Sequence, residues 1–359
     1  MTDVTLLLTI YNRRKFTLRW IDFIKTFNCP YKVYICDGGN DGYLERKLQN
    51  ISKKDKKITY KKFKYYKNYK NFYEKFYKAT KYIKTKYIYI CEDDDFLIFE
   101  NIKKSEKFLN GNKKYTCSGG QSYNLELINN SFVFSRLEHL HNISFRDESK
   151  FKRIIKVIGK MQSNYNCLHR TENLTKIFKL LNKVSFKNIY ESELLFVLTS
   201  FFYGKINRFN HIEYIKVDNI KHSSSSNFLK SKDYLGIISS KEFSYENYSF
   251  LYFFKKYFKN SEIENIENKL SNFLENINRY RLKQIYPGPF QKTKNYILNF
   301  LKQILIKTNL FWIIKKTIIR INNIQVGELN FYTDTIRANI LSKKNILFFK
   351  NLLIFLKKN

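Results

Sequence analysis

Cysteine is scarce in this sequence, and none of its five cysteines belongs to a Cys-x-x-Cys pair. Because their number is odd and they are widely scattered, the sequence predicts neither a zinc site nor a framework of disulfides. Cysteines used in this way are typical of a reducing compartment, and we expect the protein to be cytoplasmic.

Long apolar runs are missing as well. The longest candidate, residues 297–321, is interrupted by four lysines, so no segment is predicted to span a bilayer. The first 16 residues contain Asp3 and only a short apolar run, which is not the pattern of a signal peptide.

Two common nucleotide-binding motifs are also absent. No Gly-x-Gly-x-x-Gly follows the first apolar run, and no Gly-x-x-x-x-Gly-Lys-Ser/Thr occurs in the chain. The sequence therefore indicates neither a dinucleotide-binding fold nor a P-loop.

Acidic residues are outnumbered, with 31 Asp and Glu against 66 Lys and Arg, which gives a net charge of +35. Such an excess suits nucleic acid, an anionic membrane surface or phosphorylated substrates. A general drift of composition toward Lys, Asn, Ile, Phe and Tyr explains it equally well. The Lys- and Tyr-rich tract at 61–86 resembles a nucleic-acid patch, but its aromatic residues share one helical face. We interpret it as a helix packed on a sheet with solvated lysines, and expect no nucleic-acid partner.

The first hundred residues alternate between strand and helix patterns. Apolar runs at 4–10, 31–36 and 87–91 predict buried strands, and a further strand is expected near 58–60. Between them, apolar residues at spacings of three and four predict helices around Trp20 and Phe76. Strand, helix and strand form a βαβ unit, so this order predicts an α/β fold with parallel strands.

Four consecutive acids, Glu92 to Asp95, follow the last of these strands. Two carboxylates about 5 Å apart repel by roughly 3 kcal/mol at an effective dielectric of 20. Protonation, nearby Lys or Arg side chains, or a divalent cation would relieve the repulsion. A solvated acidic turn is the simpler interpretation, but the preceding buried strand favours a cation site.

Polar clusters follow two other strands of the predicted sheet. Asn12 and Arg13 come after the first strand, and Asp37 and Gly38 end the second. Ligands of open α/β sheets bind outside the carboxyl ends of the strands, where such clusters meet. The three clusters together predict a nucleotide site.

The Tyr-Asn-Arg, Asp-Gly and Asp-Asp-Asp-Phe strand ends resemble family-2-like glycosyltransferases of the GT-A fold, and most closely their bacterial Asp-Asp-Asp-Phe subgroup. The likeness covers roughly residues 3–225. It continues through a strand at 162–170, a helix that opens at Glu191-Ser192-Glu193 and ends before Gly204, and Lys221-His222-Ser223. Many relatives have Pro-Thr where this chain has Thr9-Ile10.

The resemblance implies a GT-A catalytic domain at 1–225, with a mostly parallel Rossmann-like sheet flanked by helices. It implies a nucleotide-diphosphate sugar as donor, with Asp37 accepting a hydrogen bond from the base and Arg13 near the phosphates. Mn²⁺ or Mg²⁺ would bridge the phosphates. The implied nucleotide-binding residues are Thr9, Tyr11, Asn12, Arg13, Asp37, Gly38 and Asp93, and the implied metal ligands are Asp93, Asp94, Asp95 and His222. An Asx turn at Asp37 and solvated loops at Arg13 and His222 are the alternatives.

The resemblance also favours Glu193 as the general base that deprotonates an acceptor hydroxyl, with Glu191 as the other candidate. Both acids could instead serve only to stabilise the helix N-terminus. The implied activity is metal-dependent, inverting sugar transfer to a glycan or lipid-linked acceptor, in the synthesis of cell-surface polysaccharide or another glycan. Transfer of another nucleotide-activated group, such as a polyol phosphate, and a non-catalytic nucleic-acid- or membrane-binding protein are the alternatives.

Residues 226–359 are predicted to form a helical C-terminal extension. Its stretches at 294–320 and 343–358 alternate bulky apolar residues with lysine at helical spacing. Basic amphipathic helices of this kind lie on anionic membranes, or they pack on the catalytic domain. The first alternative would place the protein peripherally on the inner face of the plasma membrane.

Overall fold

The fold is described from a computed structural model, for the residues 2–65, 69–128, 131–136, 144–158, 164–184, 189–217, 251–285, 326–327 and 343–358. The predicted sites at His222 and the basic stretch at 294–320 lie outside these residues. No helix within the described ranges is both long and apolar enough to cross a bilayer.

Strands and helices alternate through the first part of the chain, as the apolar periodicity predicts. The bounds are Val4–Ile10 (β1), Arg14–Thr26 (α1), Lys32–Asp37 (β2), Gly42–Lys54 (α2), Ile58–Lys62 (β3), Tyr69–Tyr82 (α3) and Tyr87–Glu92 (β4). These four strands pair in parallel in the order β3-β2-β1-β4. Ile10 lies opposite Asp37, and Thr9 lies opposite Glu92, so the three polar strand ends meet at one edge of the sheet.

The sheet continues beyond β4 as a mixed sheet. Its next elements are Phe96–Leu97 (β5), Phe99–Gly111 (α4), Tyr115–Ile128 (β6), Ser131–Arg136 (β7), Lys150–Ile158 (α5), Leu168–Arg170 (β8), Thr171–Lys183 (α6), Ile189–Tyr203 (α7) and Lys205–Val217 (β9). β8 is antiparallel to both β4 and β6. β9 runs parallel to β6 and pairs with β5 in the antiparallel sense, which brings the end of β9 to the acidic loop after β4.

The last described elements are Tyr252–Lys255 (α8), Asn260–Ile285 (α9), Val326–Gly327 (β10) and Lys343–Lys358 (α10). β10 pairs with β7 at the edge of the sheet. The predicted α/β fold class, with a helical C-terminal part, is confirmed, although only the β3-β2-β1-β4 half is purely parallel.

Two hydrophobic cores cover the two faces of the sheet. Leu6 and Leu8 of β1 point into one core, with α1, α4 and α10. Leu7 points into the other, with α3, α5, α6, α7 and parts of α8 and α9. Alternate residues of a strand face opposite sides, so a strand buried on both faces has apolar residues on both, as β1 has at Leu6, Leu7 and Leu8.

The C-terminal helix α10 packs into the first of these cores. Phe349, Leu352 and Leu353 are fully or almost fully buried. The Phe348 ring lies 4.8 Å from that of Phe27, and the Phe355 ring lies 6.3 Å from that of Phe96. The apolar face of this basic amphipathic helix therefore packs against the core shared by β1, α1 and α4.

Candidate functional site

The ends of β1 and β2 are fitted closely to each other. Asn12 has a left-handed backbone with φ of 52°, and its side-chain oxygen accepts a hydrogen bond of 2.7 Å from the Asn40 amide. A Cβ on Gly39 would lie 2.4 Å from that same oxygen, so this position requires glycine. The Gly38 amide donates to the Ile10 carbonyl at 3.2 Å. These contacts fix the edge at which a nucleotide is predicted to bind.

Asp37 is buried at the end of β2. Its Oδ1 accepts from the Gly39 amide at 2.7 Å in an Asx turn, and its Oδ2 accepts from the Tyr60 hydroxyl at 2.7 Å and from Lys62 Nζ at 3.0 Å. Both oxygens are thus engaged within the protein. Each carboxylate oxygen can accept two hydrogen bonds, so Oδ1 retains capacity for a ligand.

Lys75 of α3 is a site residue that the sequence interpretation missed. It is only 2% exposed, although its tract was expected to carry solvated lysines. Burial lowers its pKa, and the charges of Asp37 and Asp93 oppose that effect. Its Nζ lies 5.4 Å from the Phe72 ring centroid. Lys75 is therefore a buried amine within electrostatic reach of Asp37 and Asp93.

The acidic loop brings three carboxylates together. Oxygens of Glu92, Asp94 and Asp95 lie within 4.8 Å of one another. Asp95 is held by the Tyr214 hydroxyl and by a 3.0 Å hydrogen bond from the Val217 amide. Asp94 is 8% exposed, and its Oδ1 is buried without a hydrogen-bond partner. An unsatisfied carboxylate oxygen beside two further acids is what a hard divalent cation would satisfy, so these residues fit Mn²⁺ or Mg²⁺.

Asp93 is directed away from this group of three. Its two oxygens bind Arg13 Nη1 at 2.8 Å and the Thr17 hydroxyl at 2.9 Å. The other terminal nitrogen of Arg13 binds Asp94 Oδ2 at 2.5 Å. The geometry favours Glu92 over Asp93 as the third ligand of a cation, which differs from the set that the resemblance implies.

The electrostatics of the loop also favour a cation. Burial raises the pKa of Asp93 to about 7, opposed by Arg13. Desolvation and neighbouring acids raise the pKa of Asp95, which is buried, strongly, and they also raise that of Glu92, although Glu92 is exposed at the surface. Carboxyl groups whose ionisation is this costly gain from a positive charge placed between them.

Glu193 lies near the start of α7 and is open to solvent. Desolvation, with the charge of Glu92, raises its pKa to about 7, while Lys216 acts in the opposite sense. Glu193 is therefore within electrostatic reach of Glu92. The Glu191 side chain lies outside the described atoms, so the choice between the two acids stays a prediction.

A side-chain hydrogen bond joins the start of α7 to α3. The Tyr73 hydroxyl donates to the hydroxyl of Ser192, and both residues are buried. Ser192 immediately precedes Glu193. This contact fixes the backbone that carries the candidate base.

Tyr11 and Thr9 lie at the same edge as Asp37. Both are partly exposed, and the Tyr11 ring stacks on that of Tyr65, with centroids 5.7 Å apart and planes 13° apart. Flat aromatic faces of this kind are suited to a nucleobase. The structure thus gathers Thr9, Tyr11, Asn12, Arg13, Asp37, Gly38 and the acidic loop at one edge, with Glu193 within electrostatic reach of Glu92.

No protein-family model and no curated protein sequence matches this chain. Its fold is similar to that of solved structures of S. aureus TarS. The structure of TarS residues 1–349 in complex with UDP-GlcNAc has a TM-score of 0.51 at 13% identity, over 81% of this chain and 78% of that one. The TarS 1–349 structure described without a ligand has a TM-score of 0.48 at 12% identity, over 81% and 77%. The first of these agrees with the GT-A fold that the strand ends predict.

Proposed function

We propose that this protein is a glycosyltransferase that moves a sugar from a nucleotide-diphosphate donor to a hydroxyl group of an acceptor. The observation that carries the proposal is the meeting of three polar strand ends with the carboxylates of Glu92, Asp94 and Asp95 at one edge of the sheet. The fold likeness to TarS, which is described in complex with UDP-GlcNAc, supports a nucleotide sugar as the donor.

The donor would lie along the edge formed by β1, β2 and β4. Tyr11 and Asp37 would contact the base, and the buried amine of Lys75 is within electrostatic reach of Asp37. Glu92, Asp94 and Asp95 would hold Mn²⁺ or Mg²⁺, with His222 as a further candidate ligand outside the described residues. The bound metal would neutralise charge on the departing diphosphate.

Glu193 would act as the general base. The acceptor hydroxyl oxygen attacks the anomeric carbon as the bond from that carbon to the diphosphate oxygen breaks, and the diphosphate leaves with the electron pair. The hydroxyl proton passes to the Glu193 carboxylate. A single displacement of this kind inverts the anomeric configuration. A base with a pKa near working pH is effective in this role.

Binding of UDP with Mn²⁺ tests the donor site. We expect UDP with Mn²⁺ to raise the melting temperature by several degrees, since a ligand at 100 times its Kd stabilises by about 2.7 kcal/mol. Asp94→Asn and Asp95→Asn should abolish the rise, and Asp41→Asn should keep it, because Asp41 pairs with Arg14 on the surface. A thermal-shift panel of nucleotide diphosphates, nucleotide sugars and a nucleotide-activated polyol phosphate would measure this. Absence of any shift throughout the panel would contradict the proposal.

We further propose that α10 touches an anionic membrane, as a lipid-linked acceptor would require. Its inner face is buried, but Leu347 and Ile354, seven residues apart, are 67% and 53% exposed. Exposed Lys350 and Lys357 lie on the same side of the helix, and α10 contains no acid. Apolar residues flanked by lysine suit an anionic interface.

The double variant Leu347→Glu, Ile354→Glu should weaken binding to vesicles of anionic phospholipid by about tenfold or more, because it removes apolar contact and adds repulsion. Tyr252→Glu on α8, where the tyrosine is 79% exposed, is the control and should bind as the unmodified chain does. Co-sedimentation with anionic and with neutral vesicles gives the measurement. Equal binding by the unmodified chain and the double variant would exclude this surface.

A further inference from the structure

One face of the first turns of α1 organises the acidic loop. Arg13, Phe16 and Thr17 are spaced i, i+3 and i+4, so their side chains share a face. The Arg13 guanidinium lies 4.5 Å over the Phe16 ring. Thr17 donates at 2.9 Å to Asp93 Oδ2, whose partner oxygen Oδ1 lies 2.8 Å from Arg13 Nη1. Phe16 and Asp93 thus fix both the plane and the position of the guanidinium.

The second terminal nitrogen of this fixed guanidinium binds Asp94. Arg13 Nη2 lies 2.5 Å from Asp94 Oδ2, while Asp94 Oδ1 is buried without a hydrogen bond. The carboxylate group of Asp94 is near those of Glu92 and Asp95. Because Asp94 Oδ2 binds Arg13, Asp94 Oδ1 is available to bind a cation together with Glu92 and Asp95.

We propose that Asp93 and Arg13 are positioning residues for a divalent cation: Asp93 anchors Arg13, and Arg13 turns Asp94 Oδ1 toward Glu92 and Asp95. Asp93 is then not itself a ligand of the cation. This inference rests on the metal site of the proposed function, and it assigns within that site the division of labour among the three aspartates. Partners outside the ligand shell orient ligands in this way, and their loss typically costs 10- to 100-fold in metal affinity.

Removal of Arg13 tests the proposal, because the alternatives predict opposite changes in cation affinity. If Arg13 were only a nearby positive charge, or a substitute for the cation, its removal would strengthen cation binding, because like charges repel. If Arg13 orients Asp94, its removal weakens binding instead. A direct ligand role for Asp93 makes a third prediction, since its loss would then weaken binding whether or not Arg13 is present.

The experiment is titration of the full chain with Mn²⁺ without nucleotide, followed by calorimetry or by the Mn²⁺ electron paramagnetic resonance signal. We expect Arg13→Met and Asp93→Asn each to weaken Mn²⁺ binding by about 10- to 100-fold. The double variant should be no weaker than the single ones, because the two residues act as one unit. Arg14→Met is the matched control: it removes the same charge one residue away, where Arg14 pairs with Asp41 on the surface, and should leave the affinity unchanged.

Arg13→Lys tests whether weaker Mn²⁺ binding comes from lost orientation of Asp94 or from lost stability of the fold. It keeps the charge but cannot contact two carboxylates in a fixed plane, so it should also weaken binding while the melting temperature stays close to that of the unmodified chain. Tighter Mn²⁺ binding by Arg13→Met, or additive losses in the double variant, would overturn the inference and leave the proposed function intact. If the unmodified chain binds neither Mn²⁺ nor UDP, the result contradicts both this inference and the proposed function.

Discussion

Glu193→Gln should lower kcat for sugar transfer by about 10²- to 10⁴-fold, the usual contribution of a general base. Glutamine keeps the size of the side chain but cannot accept the acceptor proton. Since Glu193 lies outside the group of three carboxylates, binding of UDP and Mn²⁺ should be little changed. Rate measurements with donor and acceptor, together with a UDP thermal shift, separate the two effects.

The pH dependence of the transfer rate provides a second test of the role of Glu193. The base must be ionised to act, and desolvation, with the charge of Glu92, raises the pKa of Glu193 to about 7. Below the pKa of Glu193 the rate should therefore fall about tenfold per pH unit. This acid limb should lie at or below pH 7, because a bound cation would lower the pKa of Glu193. Glu193→Gln should lose this limb.

Glu191→Gln is the comparison that decides between the two candidate acids. If Glu193 is the base, Glu191→Gln should retain most of the rate and the acid limb. A larger loss in Glu191→Gln than in Glu193→Gln would assign the role to Glu191 instead.

Leu352→Ala should lower the free energy of unfolding by about 2–5 kcal/mol, as expected for a fully buried leucine in a packed core. Leu352 is 0% exposed within the core shared with α1 and α4. Leu347→Ala on the same helix makes the same chemical change at a position that is 67% exposed. It should change stability by no more than about 0.5 kcal/mol. Urea unfolding of both variants gives the comparison.

Equal stability of the two variants would mean that α10 does not pack against the sheet in solution. The site would then lose a support, because the Phe355 ring of α10 lies 6.3 Å from that of Phe96, and Phe96 directly follows Asp95. Loosening of α10 should therefore weaken Mn²⁺ binding as well as stability.

The half of the sheet next to the site could be predicted from the sequence. Segments with apolar residues at both odd and even positions, such as Val4–Ile10, are typical of a strand buried on both faces. Because parallel strands align their carboxyl ends, the meeting of Asn12, Asp37 and Asp94 followed from chain order alone.

Side-chain direction within the acidic loop could not be predicted. Once β4 ends, the alternation of a strand no longer fixes where each carboxylate points, and local backbone angles decide. Glu92 still belongs to the strand and lies with Asp94 and Asp95, while Asp93 binds Arg13. Lys75 was missed for a related reason, because a lysine in a lysine-rich helix gives no sign that it is the one turned inward.

The long strands β6 and β9 were largely hidden in the sequence. β6 contains buried polar residues such as Gln121 and Ser122, so it lacks the apolar alternation by which strands are found. For α10 the pattern was clear but ambiguous, since a membrane and a protein core select the same apolar stripe. Only the surrounding rings of Phe27 and Phe96 distinguish the two.

The position of α10 also has a consequence for how the chain folds during synthesis. The rings of Phe23 and Phe99 are covered in part by Phe348, yet about 240 residues separate Phe99 from the start of α10. At about 5–20 residues per second, the ribosome needs on the order of 10 to 50 s to make that stretch. Until α10 is made, Phe23 and Phe99 lack the contacts that Phe348 supplies, so we expect the nascent chain to expose part of this aromatic core during that interval.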